Sequence, residues 1–579
     1  MQKLQHFFPF LRWFPMGGDT VRADLIAGIT VALVLIPQSM AYAQLAGLPA
    51  YYGLYAAFLP VLIGALWGSS SQLGTGPVAV VSLLTAATVA QFAEIGSDKF
   101  IGLAIMLAFL VGVFQLLLGI FRLGAIVNFL SHPVIVGFTN AAALIIAFSQ
   151  LSKIFGVSME RSESFLVDIW NVIMQIGSTH IPTLLFGITA FAIMLFFKKK
   201  YPKLPGVLIA VAITILVSWL INFQAPEGMG GKVVGEIPQG LPSFNMPTFS
   251  MDIFWEMVVS AMVISLIGFM EAISVAKAMA AKTKERIDPN QELIGQGLAN
   301  IAGSMTHAYP ASGSFSRSAV NLNAGAITGM SSVYTAVIVM ITLLFLTPLL
   351  YHLPEAVLAA VIMMAVFGLI NFKAVKHAWQ ISKHDGMAAI VTFVATLGFA
   401  PHLEKGILIG AGLAIVLYLY RTMKPRIAIL GRYKDGTLRD IQIHPDLPTS
   451  DKIVAIRFDG SLYFANVSYF EDAILGAVSD KPNAKYVLVV GDGINQLDAS
   501  GEEVLHQLND RLRENGIILI FSGLKRQILE VLQHSGLKAS IGKENIHATE
   551  DMALEYIYKQ LGDDLELDLN YRLLKPAEV

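Results

Sequence analysis

Residues 308–321, AYPASGSFSRSAVN, lie between long apolar runs and place Arg317 where a membrane-spanning segment is expected. A cation in the first turns of a helix is opposed by the helix dipole, and at membrane depth it costs several kcal/mol. Some negative charge must therefore neutralise Arg317. The stretch predicts either an acidic neighbour or an anionic ligand.

The composition around this stretch identifies the class of protein. Of 579 residues, 55% are hydrophobic and 14% are charged, and the mean hydropathy is +0.62. Soluble domains do not reach this balance, so the sequence predicts a polytopic α-helical membrane protein in a lipid bilayer. A net charge of -2 without basic tracts argues against nucleic acid, and the absence of cysteine excludes disulfides and thiol catalysis.

Fourteen apolar segments are predicted, each needing roughly 20 residues to span as a helix. The third and tenth are too short to cross alone. The segments are 23–44, 51–67, 77–92, 101–121, 124–152, 182–198, 205–222, 253–280, 289–304, 312–325, 329–349, 353–370, 386–400 and 404–420.

Basic residues predict the orientation, because short cytoplasmic loops are enriched in Lys and Arg. With the N-terminus inside, the cytoplasmic loops receive Arg122, 198–203, 282–286, 373–383 and 421–426, whereas loops such as 223–252 are poor in basic residues. The even number of segments puts both termini in the cytoplasm, and we expect a cell (inner) membrane location. The start of the chain lacks a signal-peptide cleavage pattern, so we expect the first segment to be retained.

After residue 430 the pattern changes to short β-branched runs alternating with amphipathic helices. The runs KIVAIRF, GSLYFAN, KYVLVV and GIILIF, with helices near 467–479, 499–514, 524–534 and 549–561, predict a small α/β domain. The predicted organisation is a cytoplasmic N-terminus (1–22), a transmembrane domain (23–425), a linker (426–450), the α/β domain (451–562) and an acidic tail (563–579).

Residues 68–86, GSSSQLGTGPVAVVSLLTA, resemble 307–320, HAYPASGSFSRSAV, in having a Gly/Ser/Pro-rich approach followed by a short apolar helix. They fall at segments three and ten, the same place in two halves of seven. Interrupted segments in corresponding positions are typical of inverted-repeat transporters. Two half-helices that start at mid-bilayer would face one space with unpaired N–H groups and positive dipole ends, which favours an anion.

Two other features point to the same space. Glu271 lies about eleven residues into segment eight, near the midplane, where a carboxylate is a functional candidate. It either forms a permanent buried pair with Arg317 or links protonation to anion binding. Gln38 and Tyr42 follow Pro37 and share one helix face, either lining the anion pocket or packing against a neighbouring helix.

These stretches together resemble the sulfate permease (SulP) family, to which pendrin and prestin are related. The matching stretches, in order, are IPQSMAYAQLAGLPAYYGLY, GTGPVAVVSLLT, NFLSHPVIVGFTNAAALI, GFMEAISVAKAMA, ELIGQGLANIAGS, SGSFSRSAVN and DGSLYFAN. The resemblance implies fourteen segments in 7+7 inverted repeats, a core domain that moves against a gate domain, a cytoplasmic STAS domain and a homodimer.

The resemblance also implies the site residues. The anion site would comprise Gln38, Tyr42, Gly76, Pro77, Val78, Gly313, Ser314, Phe315, Ser316 and Arg317. Glu271 matches the acid of proton-coupled members. Sodium-coupled bicarbonate members have Asp followed four residues later by Thr, and here Val275 occupies the second position, which favours proton coupling, although Ser274 could substitute for the Thr.

The STAS-like stretch departs from the Asp-Ser-Ser-Gly motif of anti-sigma-factor antagonists, because Ala499 replaces the phosphorylated serine. We therefore read Asp498 as a helix N-cap and expect the domain to bind a soluble protein partner or the other protomer.

The sequence lacks a P-loop, a catalytic triad and metal-ligand spacing among its histidines, so we expect no cofactor, no metal and no enzymatic activity. The predicted function is secondary active, proton-coupled transport of sulfate or a similar oxyanion. Bicarbonate or C4-dicarboxylate transport, with protons or sodium as the coupling ion, is an alternative. An uncoupled exchanger or channel, or a scaffold that acts through its STAS domain, is another.

Overall fold

The computed structural model describes residues 8–124, 131–159, 164–201, 204–225, 229–248, 251–433 and 435–562. The start of the fifth predicted segment and the acidic tail lie outside the described residues. The chain divides into two compact units, Met1–Ala414 and Ile415–Val579.

The first unit is helical. Its helices, the last of which continues into the second unit, are α1 (Gly18–Leu45), α2 (Tyr52–Ala56), α3 (Leu59–Trp67), α4 (Ala79–Val89), α5 (Asp98–Ile120), α6 (His132–Ser149), α7 (Leu151–Phe155), α8 (Phe165–Met174), α9 (Ile181–Lys200), α10 (Gly206–Leu220), α11 (Met251–Thr283), α12 (Pro289–Ser304), α13 (Phe315–Asn323), α14 (Met330–Ile341), α15 (Glu355–Phe367), α16 (Phe372–Ile381), α17 (Lys383–Gly398) and α18 (Leu403–Met423). Within the described residues, eight helices are long and apolar enough to cross a bilayer. The prediction of a polytopic helical membrane fold is confirmed.

Each of the fourteen predicted segments contains a helix, but the third and tenth are shorter than predicted. The helix of the third is α4, with 11 residues, and that of the tenth is α13, with 9. Residues 312–314, at the start of the tenth predicted segment, form strand β2 (Ser312–Ser314), and residues 74–76, before the third segment, form strand β1 (Gly74–Gly76). Backbone groups at these positions pair with the opposite strand and are not available for a helix.

Sequence reasoning missed α8 and α16. The first follows the fifth segment and the second follows the twelfth, so they occupy the same place in the two halves of seven. Both helices are 10 residues long and amphipathic. A search for spanning-length apolar runs does not detect such helices. Their matched positions are consistent with a repeated architecture.

The core of the first unit is made of small and branched apolar side chains from several helices. Leu35 and Tyr42 on α1, Ile146 on α6, Ala190 on α9 and Leu358 on α15 belong to one buried cluster. Small residues allow these helices to approach closely, which is how helices associate in lipid.

The second unit contains a six-stranded sheet flanked by helices. The strand order is β4-β3-β5-β6-β7-β8, and the last four strands are parallel. The strands are β3 (Ile427–Arg432), β4 (Leu438–Asp440), β5 (Ile453–Phe458), β6 (Tyr486–Val490), β7 (Ile518–Ser522) and β8 (Ile546–His547). The helices are α19 (Val467–Ser479), α20 (Ala499–Glu514), α21 (Arg526–His534), α22 (Leu537–Ile541) and α23 (Glu550–Leu561). The predicted α/β domain is confirmed.

Two details of this unit differ from the sequence prediction. The run GSLYFAN does not form a strand, because only Leu462 makes an isolated bridge, to Leu497. Strands β3 and β4 lie within the stretch that we treated as a linker, and β3 pairs with β5 in the sheet. Local sequence could not assign β3, because its strand character depends on partners that follow later in the chain.

Candidate functional site

The two approach stretches that the sequence paired are in direct contact. Strands β1 and β2 are antiparallel, with Gly74 opposite Ser314, Thr75 opposite Gly313 and Gly76 opposite Ser312. Helices α4 and α13 follow β1 and β2 and therefore begin at opposite ends of this three-residue ladder, so their N-termini lie close together. The N–H groups of a first helical turn have no partner within the helix, and both dipoles place positive charge here.

Glycines allow the ladder to form against α13. A Cβ atom on Gly74 would lie 3.0 Å from Cβ of Arg317, and one on Gly76 would lie 3.3 Å from its Nη2. Gly76 also has a φ of 142°, which L side chains rarely adopt. Any side chain at these positions would displace the arginine.

Arg317 is fully buried in the third position of α13. Its Nη1 donates to Oε1 of Gln38 at 3.4 Å, while Nε and Nη2 have no hydrogen-bond partner among the described residues. The oxygen Oε2 of Glu271 is likewise buried without a partner. Arg317 and Glu271 do not form a direct ion pair in the described part of the chain. A permanent pair therefore does not neutralise the guanidinium in this conformation.

A cavity of about 500 Å³ lies in front of this region. Seven predicted site residues line it, and they are Gln38, Tyr42, Val78, Glu271, Ser314, Phe315 and Ser316. The amide of Gln38 donates from Nε2 to the hydroxyl oxygen of Tyr42 at 3.0 Å, and both residues lie on the face of α1 that lines the cavity. Phe315 is 56% exposed and forms an apolar wall.

Four predicted site residues do not line this cavity. Gly76, Pro77, Gly313 and Arg317 lie within the wall behind it. The Arg317 side chain points back from α13 toward the ladder, because side chains in a helix lean toward its N-terminus. Gln38 thus lies between Arg317 and the open cavity, and Gln38, Tyr42, Glu271 and the start of α13 supply polar groups to its lining.

Lys198 also lines the cavity, and the sequence analysis placed it only in a basic loop. The opposite wall consists of Met194 and Lys198 on α9, Val207 on α10, and Val361 and Met364 on α15. These helices lie far from α1 and α13 in the chain. Only their packing shows that a lysine stands at the cavity.

A second cavity, of about 1030 Å³, reaches other faces of the same helices. Gln44 and Leu45 on α1 and Leu83 and Ala87 on α4 line it. Along α1 the two cavities are thus separated by only one residue, from Tyr42 to Gln44, or about 3 Å of helical rise. Because residues two apart point to roughly opposite sides of a helix, Tyr42 and Gln44 face different cavities and α1 lies between them.

In the C-terminal unit, Asp498 caps α20 as the sequence predicted. Its Oδ1 accepts from the backbone N–H of Gly501 at 2.8 Å, and its Oδ2 accepts from that of Phe464 at 2.9 Å. Both carboxylate oxygens of Asp498 therefore accept hydrogen bonds from backbone N–H groups, directly before Ala499. Within the described residues, no cluster of His, Cys, Asp or Glu could hold a metal ion.

A helical membrane unit in which two interrupted segments begin side by side is typical of secondary transporters, and here an α/β unit follows it. Residues 21–392 match the Sulfate permease family and residues 444–553 match the STAS domain. The chain belongs to the sulfate permease family. It is a multi-pass membrane protein that transports anions, and it is not an enzyme.

Plant sulfate transporters are among its relatives. The chain is 35% identical to "Sulfate transporter 4.1, chloroplastic" of Arabidopsis thaliana over 98% of this chain and 85% of the relative. It is 33% identical to "High affinity sulfate transporter 2" of Stylosanthes hamata over 94% of this chain and 85% of that protein.

Solved structures share the fold. A structure of SLC26A9 superposes with a TM-score of 0.89 at 23% identity, covering 98% of this chain and 94% of the other. The transmembrane domain of the cyanobacterial bicarbonate transporter BicA gives a TM-score of 0.59 at 21% identity, covering 69% of this chain and 98% of the other.

Proposed function

We propose that this protein is a secondary active transporter of sulfate or a similar oxyanion, and that the anion binds where α4 and α13 begin. The observation that carries the proposal is the buried guanidinium of Arg317, which has two nitrogens without a hydrogen-bond partner and no acidic side chain in direct contact among the described residues. A buried cation without a directly bonded counter-charge is costly. An anion held at Gln38, Tyr42 and Ser314 would supply that counter-charge.

The chemistry of the site fits a small oxyanion. Backbone N–H groups at two helix starts and the side chains of Gln38, Tyr42 and Ser316 offer several donors around one point. Sulfate is the first candidate because relatives named as sulfate transporters are 32 to 36% identical over most of this chain. Bicarbonate and C4-dicarboxylates present similar oxygens to the same donors.

Glu271 is the proposed proton-coupling residue. It lines the cavity beside the anion site, and its Oε2 has no partner among the described residues, so a proton can be added without breaking a hydrogen bond. A hydroxyl ligand for sodium could come from position 275 or position 274. Position 275 is a buried valine, which has no hydroxyl, and Ser274 is exposed and does not line this cavity. This arrangement favours a proton over sodium.

The two cavities on α1 and α4 support alternating access. We propose that a core domain carrying α1, α4 and α13 moves against a gate domain carrying α9, α10 and α15 in an elevator-like manner. Each position would open one cavity to the anion site. The protein would work as a homodimer in a cell (inner) membrane, with both termini and the STAS domain in the cytoplasm, where the basic loops lie.

Counterflow in proteoliposomes tests the proposal. Proteoliposomes that contain the purified protein would be loaded with unlabelled sulfate. Labelled sulfate, bicarbonate, fumarate or chloride would then be added outside, with and without proton and sodium gradients. We expect sulfate to accumulate and an inward proton gradient to increase its uptake. Transport of bicarbonate or fumarate without sulfate would reassign the substrate, stimulation by sodium alone would reassign the coupling ion, and the absence of any gradient effect would indicate an uncoupled exchanger.

A further inference from the structure

Helix α12 carries a column of three buried polar residues that neither the sequence analysis nor the proposed function used. Glu292, Gln296 and Asn300 are spaced by four residues, so they lie one above another on a single helix face. Each is at most 1% exposed. Buried polar side chains are costly unless they are hydrogen-bonded, so the partners of this column reveal its role.

Glu292, the first residue of the column, binds the segment that precedes β1. Its Oε2 accepts from the backbone N–H of Ser69 at 2.8 Å, from the Ser69 hydroxyl at 3.0 Å and from the backbone N–H of Ser70 at 3.3 Å. All three of these groups donate to the same carboxyl oxygen. Glu285 accepts in the same way from the hydroxyl and backbone N–H of Ser71. Two acidic side chains therefore bind the three consecutive serines 69–71.

The upper members reach both strands of the ladder. Gln296 donates from Nε2 to the hydroxyl oxygen of Thr75, in the centre of β1, at 2.9 Å. Asn300 accepts from the N–H of Ala311 at 2.8 Å and donates to the carbonyl oxygen of the same residue at 3.0 Å, directly before β2. One helix face therefore holds the two chain segments that lead into α4 and α13.

Helix α12 packs closely against α5. A Cβ on Gly297 would lie 2.5 Å from the backbone nitrogen of Leu116 and 2.8 Å from the carbonyl oxygen of Gly112, both on α5. The two helices are thus in backbone contact, and Gln115 of α5 accepts from Asn300 at 3.0 Å. The column is therefore attached to a rigid support.

We propose that Glu292, Gln296 and Asn300 position both halves of the anion site, so that their hydrogen bonds set the spacing of the α4 and α13 N-termini and thereby the anion affinity. This inference rests on the proposed function and assigns positioning residues within it. None of the three residues lines the cavity, so they act through β1 and β2. Loss of one contact would loosen a strand and weaken anion binding, while Glu271 and proton coupling would be unaffected.

Thr75→Val tests the proposal with the full-length protein, because it removes the hydroxyl that Gln296 contacts and keeps the side-chain volume. We expect faster amide hydrogen exchange in peptides that cover 68–78, and a rise of about five- to tenfold in the KM for labelled sulfate at matched protein amount. Thr75→Ser restores a hydroxyl and should return both values toward those of the unsubstituted protein. Ser69→Ala removes one of the four hydrogen bonds that Glu292 accepts and should give a smaller rise in KM.

Thr85→Val is the matched control. Thr85 is also fully buried, but its hydroxyl contacts only the carbonyl oxygen of Val81 in its own helix, at 2.8 Å. We expect an unchanged KM for this variant. An unchanged KM and unchanged exchange in Thr75→Val and Ser69→Ala, or an effect on Vmax alone, would overturn the proposal. If the unsubstituted protein moves no sulfate, the proposed substrate fails, while hydrogen exchange still decides whether the column holds the strands.

Discussion

Nη1 of Arg317 lies 3.4 Å from Oε1 of Gln38, and this contact joins the helix that follows β2 to the first helix of the chain. The same Gln38 donates to Tyr42 and faces the cavity. Arg317 thus orients an amide that faces the ligand, in addition to supplying positive charge from behind the site. Its effect on an anion combines long-range charge with the geometry of Gln38.

Replacing Arg317 should weaken anion binding more than it weakens folding. Arg317→Gln removes the charge, and we expect sulfate affinity to fall about tenfold to a hundredfold, the range for a lost charge-assisted interaction. Arg317→Lys keeps the charge but lacks the planar guanidinium that contacts Gln38, so a smaller loss is expected. Binding of labelled sulfate to purified, monodisperse protein measures both effects. Equal affinity in Arg317→Gln would exclude the proposed site.

Glu271→Gln should separate coupling from binding. The amide keeps the volume of the carboxylate but cannot take up a proton, so we expect uptake to lose its dependence on a proton gradient. Counterflow, which requires no gradient, should continue. Proteoliposome uptake across a series of external pH values measures this. Glu236→Gln, at an exposed loop carboxylate, is the control and should retain the pH dependence. If Glu271→Gln also retained it, another group would carry the proton.

The absence of cysteine makes the two cavities directly testable. Lys198→Cys places a thiol at the smaller cavity, and Glu94→Cys places one at the larger. An impermeant maleimide should modify the first only from the proposed cytoplasmic side and the second only from the opposite side of the membrane. Ile146→Cys, which is fully buried, should not react from either side. Modification of both cavity positions from one side would contradict the proposed alternating access.

Asp498 should contribute to the stability of the STAS domain. Asp498→Ala removes acceptors for the Gly501 and Phe464 N–H groups, and we expect the free energy of unfolding of a purified fragment of the C-terminal unit, residues 424–562, to fall by about 1 to 2 kcal/mol. Asp498→Asn keeps a capping oxygen and should lose much less. Urea denaturation followed by circular dichroism compares them. An equal loss in both variants would show that charge, rather than capping, is the cause.

Hydropathy and repeated local patterns predicted most of the fold. Each of the fourteen apolar segments contains a helix, and the two Gly/Ser-rich approaches predicted a pair of half-helices. The amphipathic helices α8 and α16 were missed because they are too short and too polar for a search based on spanning length. The run GSLYFAN was wrongly predicted as a strand, since a single bridge at Leu462 cannot be distinguished from a strand by composition.

The sequence by itself determined that Arg317 needed a negative counter-charge and that Gln38 and Tyr42 share a face, because burial cost and helical period are local properties. Only the tertiary structure decided that Arg317 lies behind Gln38, that Lys198 stands at the cavity and that one face of α12 holds both strands. These relationships join residues that are distant in the chain. They arise from packing between helices, which no single stretch of sequence encodes.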